Sequence, residues 1–178
     1  MLNKLITSKT RLRLLIKFFI SQANRGYLNG LASEFNESTN SIRKELNHLS
    51  EAGYLEKYKD ENKVGYKANT AHPLFDVLQK VVYAHLGLEE LVERVLERMG
   101  PVQQILLTGD YAKGLDSGTI DVVLVGKQLN TEYIEALEKK VEGIIERKVN
   151  FYLTSKPNPT QLTVLLYENE STKNKATL

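Results

Sequence analysis

The chain has 178 residues, 42% hydrophobic and 26% charged, the proportions of a globular protein large enough for one domain or two small ones. It has no cysteine, which excludes disulfides, thiolate zinc sites and cysteine nucleophiles, and its three histidines, His48, His72 and His85, have no metal-ligand spacing. The net charge of +2 is uneven: residues 1–72 hold 12 Lys/Arg against 7 Asp/Glu, and residues 73–178 hold 12 against 15. A basic first half suits a polyanionic partner; an acidic second half does not.

At the start, Lys9, Arg11, Arg13 and Lys17 interrupt the apolar residues, so no signal-peptide core forms, and nothing approaches the length of a membrane span. A cytoplasmic protein with no membrane partner is expected. The spacing predicts a helix over 8–22 with Ser8 as N-cap and Leu12, Leu15, Ile16 and Phe19 on its buried side. Asn24-Arg25-Gly26 ends it.

Residues 28–67 read as a helix, a tight turn, a second helix and a β-hairpin. Leu31, Ala32 and Phe35 are apolar at helical spacing, and Asn36-Glu37-Ser38 interrupts with turn and N-cap residues. In the second helix Ile42, Leu46 and Leu49 share one face. The opposite face is predicted to show Asn40, Ser41, Arg43, Lys44, Asn47 and His48, side chains of the kind that meet base edges and phosphates in a major groove. Gly53 stops that helix, residues 55–59 alternate as a strand, residues 60–63 form the loop and 64–67 return. Lys57, Lys59 and Lys63 lie on or beside this hairpin.

Over about residues 7–72 this pattern resembles the ArsR-type winged-helix regulators, whose recognition helix ends in the spacing seen here at Leu46, Leu49, Ala52, Gly53 and Leu55. The resemblance implies double-stranded DNA as partner, with the nine polar and basic residues just named as contacts. A solvated helix face is the alternative reading of the same residues. Helix-turn-helix proteins commonly pair to bind two half-sites, so a homodimer is expected.

His72-Pro73 marks a boundary. Helices are expected over 74–85 and 88–98, separated by Gly87 and closed by Gly100-Pro101. Leu74, Leu78, Val81, His85, Leu88, Val92, Val95 and Met99 alternate in steps of four and three, as in a heptad seam. Alternatively, the first helix packs against the winged helix and the second opens the next domain.

Strands are then predicted over 104–108, 120–125 and 149–153, with a glycine-punctuated loop over 109–118 and a helix from Thr131; residues 162–167 suit a strand or a short helix. The fold class expected is a two-domain α/β protein: a winged helix over 1–72, a linker helix over 73–86, an α/β domain over 87–168 and a polar tail over 169–178.

The stretch LLTGDYAKGLDSGTIDVVLVG resembles the opening of small nucleotidyltransferases of the polymerase-beta-like superfamily. Gly109, Tyr111, Ala112, Lys113 and Gly114 match the family's loop. The family implies a serine after the first glycine, paired aspartates on the next strand for divalent metal, and a third acid on a later strand. Here those positions hold Asp110, Thr119 with Asp121, and Asn150. Asp110 repels phosphate, and a lone carboxylate is a poor anchor for Mg²⁺. Gly109, Asp110, Gly114 and Asp121 therefore read as a vestigial nucleotide site, with no catalytic residue, metal or cofactor expected.

The sequence thus points to a DNA-binding transcriptional regulator whose second domain serves dimerisation, partner contact or the sensing of a ligand the sequence does not define. Two alternatives stand beside it: an active nucleotidyltransferase with a winged-helix docking domain, and a winged-helix protein–protein module.

Overall fold

In the computed structural model, which describes residues 2–170, the chain divides into two compact units, 1–85 and 86–178. It is a two-domain α/β protein. Most of the tail expected over 169–178 lies outside the described residues.

The first unit opens with α1 (Leu2–Leu5) and α2 (Lys9–Phe19). Ser8 caps α2 by accepting the Arg11 backbone N–H, which satisfies one donor of the first turn. The helix stops before residue 22. Its buried stripe is broader than expected, with Leu14, Leu15, Ile16, Phe18 and Phe19 covered and Leu12 only partly so. A two-residue strand, β1 (Gly26–Tyr27), then leads into α3 (Leu28–Phe35). Asn36 turns the chain in the left-handed conformation, with φ at 52°. Ser38 accepts the Ser41 N–H as N-cap of α4 (Thr39–Glu51). β2 (Leu55–Asp60) and β3 (Lys63–Ala68) form the hairpin, and β1 joins its free side to give the order β1-β3-β2. This is the layout of a winged helix-turn-helix.

The expected linker helix is α5 (Phe75–Leu86), and it packs within the first unit. Phe75 meets Phe19 with ring centroids 5.6 Å apart. Gln79 Nε2 donates to the Phe19 carbonyl at 3.2 Å and the Tyr83 hydroxyl to the Ile20 carbonyl at 3.2 Å, so α5 satisfies acceptors that the end of α2 leaves open.

The second unit contains α6 (Leu88–Arg98), β4 (Val102–Thr108), α7 (Gly109–Ala112), β5 (Thr119–Gly126), a 3₁₀ turn (Thr131–Tyr133), α8 (Ile134–Ile145), β6 (Lys148–Thr154) and β7 (Val164–Glu168). The segment at 162–167 left open by its pattern is largely strand. The sheet order is β6-β5-β4-β7, with β5 and β6 parallel and the other pairs antiparallel. Ile120, Val122, Leu124, Val149 and Phe151 are buried, whereas Thr119, Asp121, Val123, Asn150 and Tyr152 are half-buried or exposed. Since strand side chains alternate between faces, β5 and β6 have one covered and one more open face, whereas Ile105, Leu106, Leu107 and Thr108 of β4 are all buried.

The heptad seam is not continuous. Gly87, at φ +70°, separates α5 from α6. α5 buries Phe75, Val82 and Leu86, with Leu74 exposed just before it, while α6 buries Leu88, Leu91 and Val95, with Met99 following. Among the described residues no helix is long and apolar enough to cross a membrane.

Candidate nucleic-acid interface and a cavity on the open sheet face

α4 buries Ile42, Leu46 and Leu49 and turns Asn40, Arg43 and Lys44 into solvent, with Asn47 half-exposed beside them. These four lie at i, i+3, i+4 and i+7, a single stripe. Arg43 Nη1 donates to Asn40 Oδ1 at 2.9 Å, one turn away. Two residues expected on this face lie toward α2. The Ser41 hydroxyl is 3.0 Å from Thr10 Oγ1 and donates to Glu37 Oε2 at 3.4 Å, so it is already engaged within the protein. His48 is exposed, but its Nδ1 is 3.4 Å from Arg11 Nη2 and 3.8 Å from Glu45.

Glu45 is only 6% exposed, although it belongs to the same helix. Its carboxylate accepts from Ser8 Oγ at 2.8 Å and from Arg11 Nε at 2.8 Å. Burial pushes its pKa up, but the bonds from Arg11 and Ser8 outweigh that and hold it below the usual carboxylate value. A signal for it was present in the spacing: 42, 45, 46 and 49 form one i, i+3, i+4, i+7 face, so a carboxylate at 45 had to be buried and partnered. Arg13 pairs with Glu37 at 2.7 Å and Lys17 with Glu34 at 2.6 Å, so three cations of α2 are neutralised by acids from α3, α4 and the turn between them.

In the hairpin, Lys57 pairs with Tyr66 and Lys59 with Val64, whereas Lys63 stands opposite Asp60. The period of two therefore puts Lys57 and Lys59 on one face and Lys63 on the other. Lys57 Nζ lies 5.9 Å from the Tyr66 ring centroid. Tyr27, from β1, donates to the Asp60 carboxylate and accepts from the Tyr58 hydroxyl at 3.3 Å, which ties the hairpin to the strand before α3.

In the second unit, Gly109 begins α7 at φ +66°, and a Cβ there would sit 2.7 Å from Asp121 Oδ2. Only glycine permits both the turn and that approach. Asp121 lies between Thr108 of β4 and Asn150 of β6. Its Oδ1 accepts from Asn150 Nδ2 at 2.8 Å and from the Tyr152 hydroxyl at 3.4 Å. The charge of Asp121 pushes the Tyr152 phenol upward.

The other acids of the loop lie elsewhere. Asp110 is exposed. Asp116 pairs with Arg147 at 3.5 Å and accepts from the buried Tyr111 hydroxyl, which itself accepts from Gly118 N–H at 3.1 Å and Arg147 Nε at 3.2 Å. Burial and the Asp116 bond push Tyr111 up to about 12. Gly114 sits at φ +81° behind this cluster and is buried. Among the described residues no group of three or more His, Cys, Asp or Glu is placed to hold a metal ion.

A cavity of about 430 Å³ opens over Asp121, and Asp121 is the one carboxylate among its lining residues. Tyr152, Lys156, Asn158 and Gln161 form much of its wall. Gln161 Nε2 donates to Thr108 Oγ1 at 2.7 Å and anchors the segment after β6 over the sheet. None of these four was singled out from the sequence. They converge from β6 and from an irregular polar stretch, where no periodic pattern operates.

No family model and no curated protein matches this chain. Among solved structures, the AntR antimony-specific transcriptional repressor is similar over 52% of this chain and 78% of that one, at 20% identity and a TM-score of 0.39.

Proposed function

We propose that this chain is a cytoplasmic, DNA-binding transcriptional regulator of ArsR-like type. Its first unit would contact the duplex, and its second would be a nucleotidyltransferase-like domain without transfer activity. The observation carrying this reading is a contrast in charge pairing. Arg11, Arg13 and Lys17 are matched to internal acids, while Arg43 and Lys44 project with Asn40 and Asn47 from α4 without an ion pair among the described residues. Such a stripe supplies phosphate contacts from the cations and base-edge contacts from the amides.

The inactive second domain is supported by what surrounds Gly109. Phosphoryl-type transfer needs metal ions held by several protein oxygens in line with the reacting groups, and here one carboxylate, bonded to an amide and a phenol, lines the cavity. Homodimerisation follows from the pairing habit of helix-turn-helix proteins.

The test is a salt-titrated binding assay on duplexes recovered by unbiased selection with the purified protein. Arg43→Ala/Lys44→Ala should weaken binding and flatten the salt slope by about 0.9 for every phosphate the variant no longer neutralises. Unchanged affinity and slope would remove α4 from any DNA interface. A labelled-nucleotide transfer assay with Mg²⁺ or Mn²⁺ should show no Asp121-dependent product, and light scattering should give the mass of two chains.

A further inference from the structure

We infer that the cavity over Asp121 binds a small zwitterion, its ammonium on Asp121, its anionic group toward Lys156 and an apolar body between. The inference concerns the second unit alone and holds whether or not α4 contacts DNA.

Strand register sets part of the cavity lining. Directly paired residues of neighbouring strands share a face, so Thr108, Asp121 and Asn150 form one row across β4, β5 and β6. Two residues further along, Leu106, Val123 and Tyr152 form a second, more apolar row, and of the two rows Thr108, Asp121, Val123 and Tyr152 line the cavity. A polar row beside an apolar one on a concave surface suits a ligand with a charged end and a hydrocarbon body.

The charges give the polarity. Asp121 accepts only from the Asn150 amide and the Tyr152 phenol, and among the described residues it has no ion-pair partner. Its Oδ2 packs against Gly109, which has no Cβ to displace it, and the residue lines the cavity. Lys156 lines the same cavity and is likewise in no ion pair among the described residues. A purely cationic ligand meets Lys156 as a like charge, and a purely anionic one meets Asp121. A zwitterion satisfies both, and bidentate or paired charge contacts in a partly enclosed site outweigh those on open surface. The raised Tyr152 phenol agrees with an Asp121 charge that no cation neutralises. A volume near 430 Å³ accommodates an amino-acid-sized molecule and lies toward the small end of ligand cavities.

The experiment is calorimetric titration of the full chain with leucine, phenylalanine, 4-aminobutyrate and 6-aminohexanoate, beside hexylamine, hexanoate and Mg²⁺–CTP. At least one zwitterion is expected to saturate with a Kd below about 10 mM, at least about tenfold tighter than hexylamine or hexanoate. Asp121→Asn should weaken the zwitterion and hexylamine by about tenfold, and Lys156→Gln should weaken the zwitterion and hexanoate while sparing hexylamine. Lys156 is exposed, so its variant keeps the test readable even where Asp121→Asn lowers thermal stability. No saturable zwitterion binding, binding indifferent to both substitutions, hexylamine binding as tightly as any zwitterion, or Asp121-dependent Mg²⁺–CTP binding tighter than all of them each overturns the inference.

Discussion

The two units leave charge unpaired in opposite ways. In the first, acids are drawn inside: Glu45 is buried against Ser8 and Arg11, Glu37 and Glu34 meet cations of α2, and the cations without acids stand outward on α4 and the hairpin. In the second, Asp121, one of several acids in no ion pair among the described residues, stands in the wall of a cavity, while Asp116 is locked to Arg147 and Tyr111. A convex basic stripe suits a long polyanion, whose phosphates it meets serially. A concave site with single charges suits a molecule small enough to enter it. Charge and the curvature of the surface that carries it therefore point together to different partners for the two units.

The largest test of this contrast is aimed at the core that fixes α4. Leu46 is fully buried on the face opposite Arg43 and Lys44, and Leu46→Ala should cost about 2–5 kcal/mol by denaturant unfolding. Because this also loosens the helix that carries the stripe, DNA affinity should fall by more than the loss of folded fraction accounts for. An effect confined to stability, with full affinity in the folded protein, would show that the stripe does not depend on the core beneath it.

Glu45 offers the next largest effect. Glu45→Gln replaces the charged acceptor of Arg11 and Ser8 and should cost about 1–3 kcal/mol near neutral pH. The pH sign is set by its lowered pKa. The carboxylate contributes its stability in full above the ordinary value of 4.5, and that contribution is lost as pH falls through the lower folded value. Wild-type stability should therefore decline at acid pH more steeply than that of Glu45→Gln; parallel pH profiles for the two proteins would contradict this.

On the other side, Tyr111→Phe removes the hydroxyl shared by Asp116, Gly118 and Arg147 and should cost about 1–2 kcal/mol in thermal or chemical unfolding. Because this cluster stands apart from the cavity-lining residues, ligand binding by the folded protein should be unchanged. A large decrease there would mean that the loop behind Gly109 sets the cavity.

The smallest effect concerns the hairpin. Lys57 and Lys59 share a face and Lys63 lies on the other, so Lys57→Ala/Lys59→Ala and Lys63→Ala should not lower DNA affinity equally. Every phosphate left without its lysine should flatten the salt slope by about 0.9, and only the face toward DNA should show it. Equal slopes for both variants would mean that the hairpin meets the duplex edge-on.

The helix-turn-helix was legible because amphipathic helices announce themselves over many residues: Leu31, Ala32 and Phe35, then Ile42, Leu46 and Leu49, are buried where the period puts them. Ser8 and Ser38 cap as their residue type dictates. β1 was not legible, since two residues carry no period and become a strand only by pairing with β3. The polar face of α4 was read as uniform. The structure divides it, with Ser41 bonded toward Thr10 and Glu37 and His48 placed beside Arg11, because α2 covers one edge of the helix.

The order of residues dictates what is local: which segments are helices, strands and turns, where they stop, and that the first half is basic and the second acidic. Propensity, caps and periodicity act within a few residues, so they can be read in one dimension. Which charges are neutralised and which are left over emerges only on folding, because Arg11 and Glu45 are 34 residues apart. The cavity likewise exists only where β4, β5 and β6 align Thr108 with Asp121 and Val123 with Tyr152 and where Gln161 reaches back 53 residues to hold the wall in place. Register and long-range closure set such geometry, and neither is encoded in the spacing of any single segment.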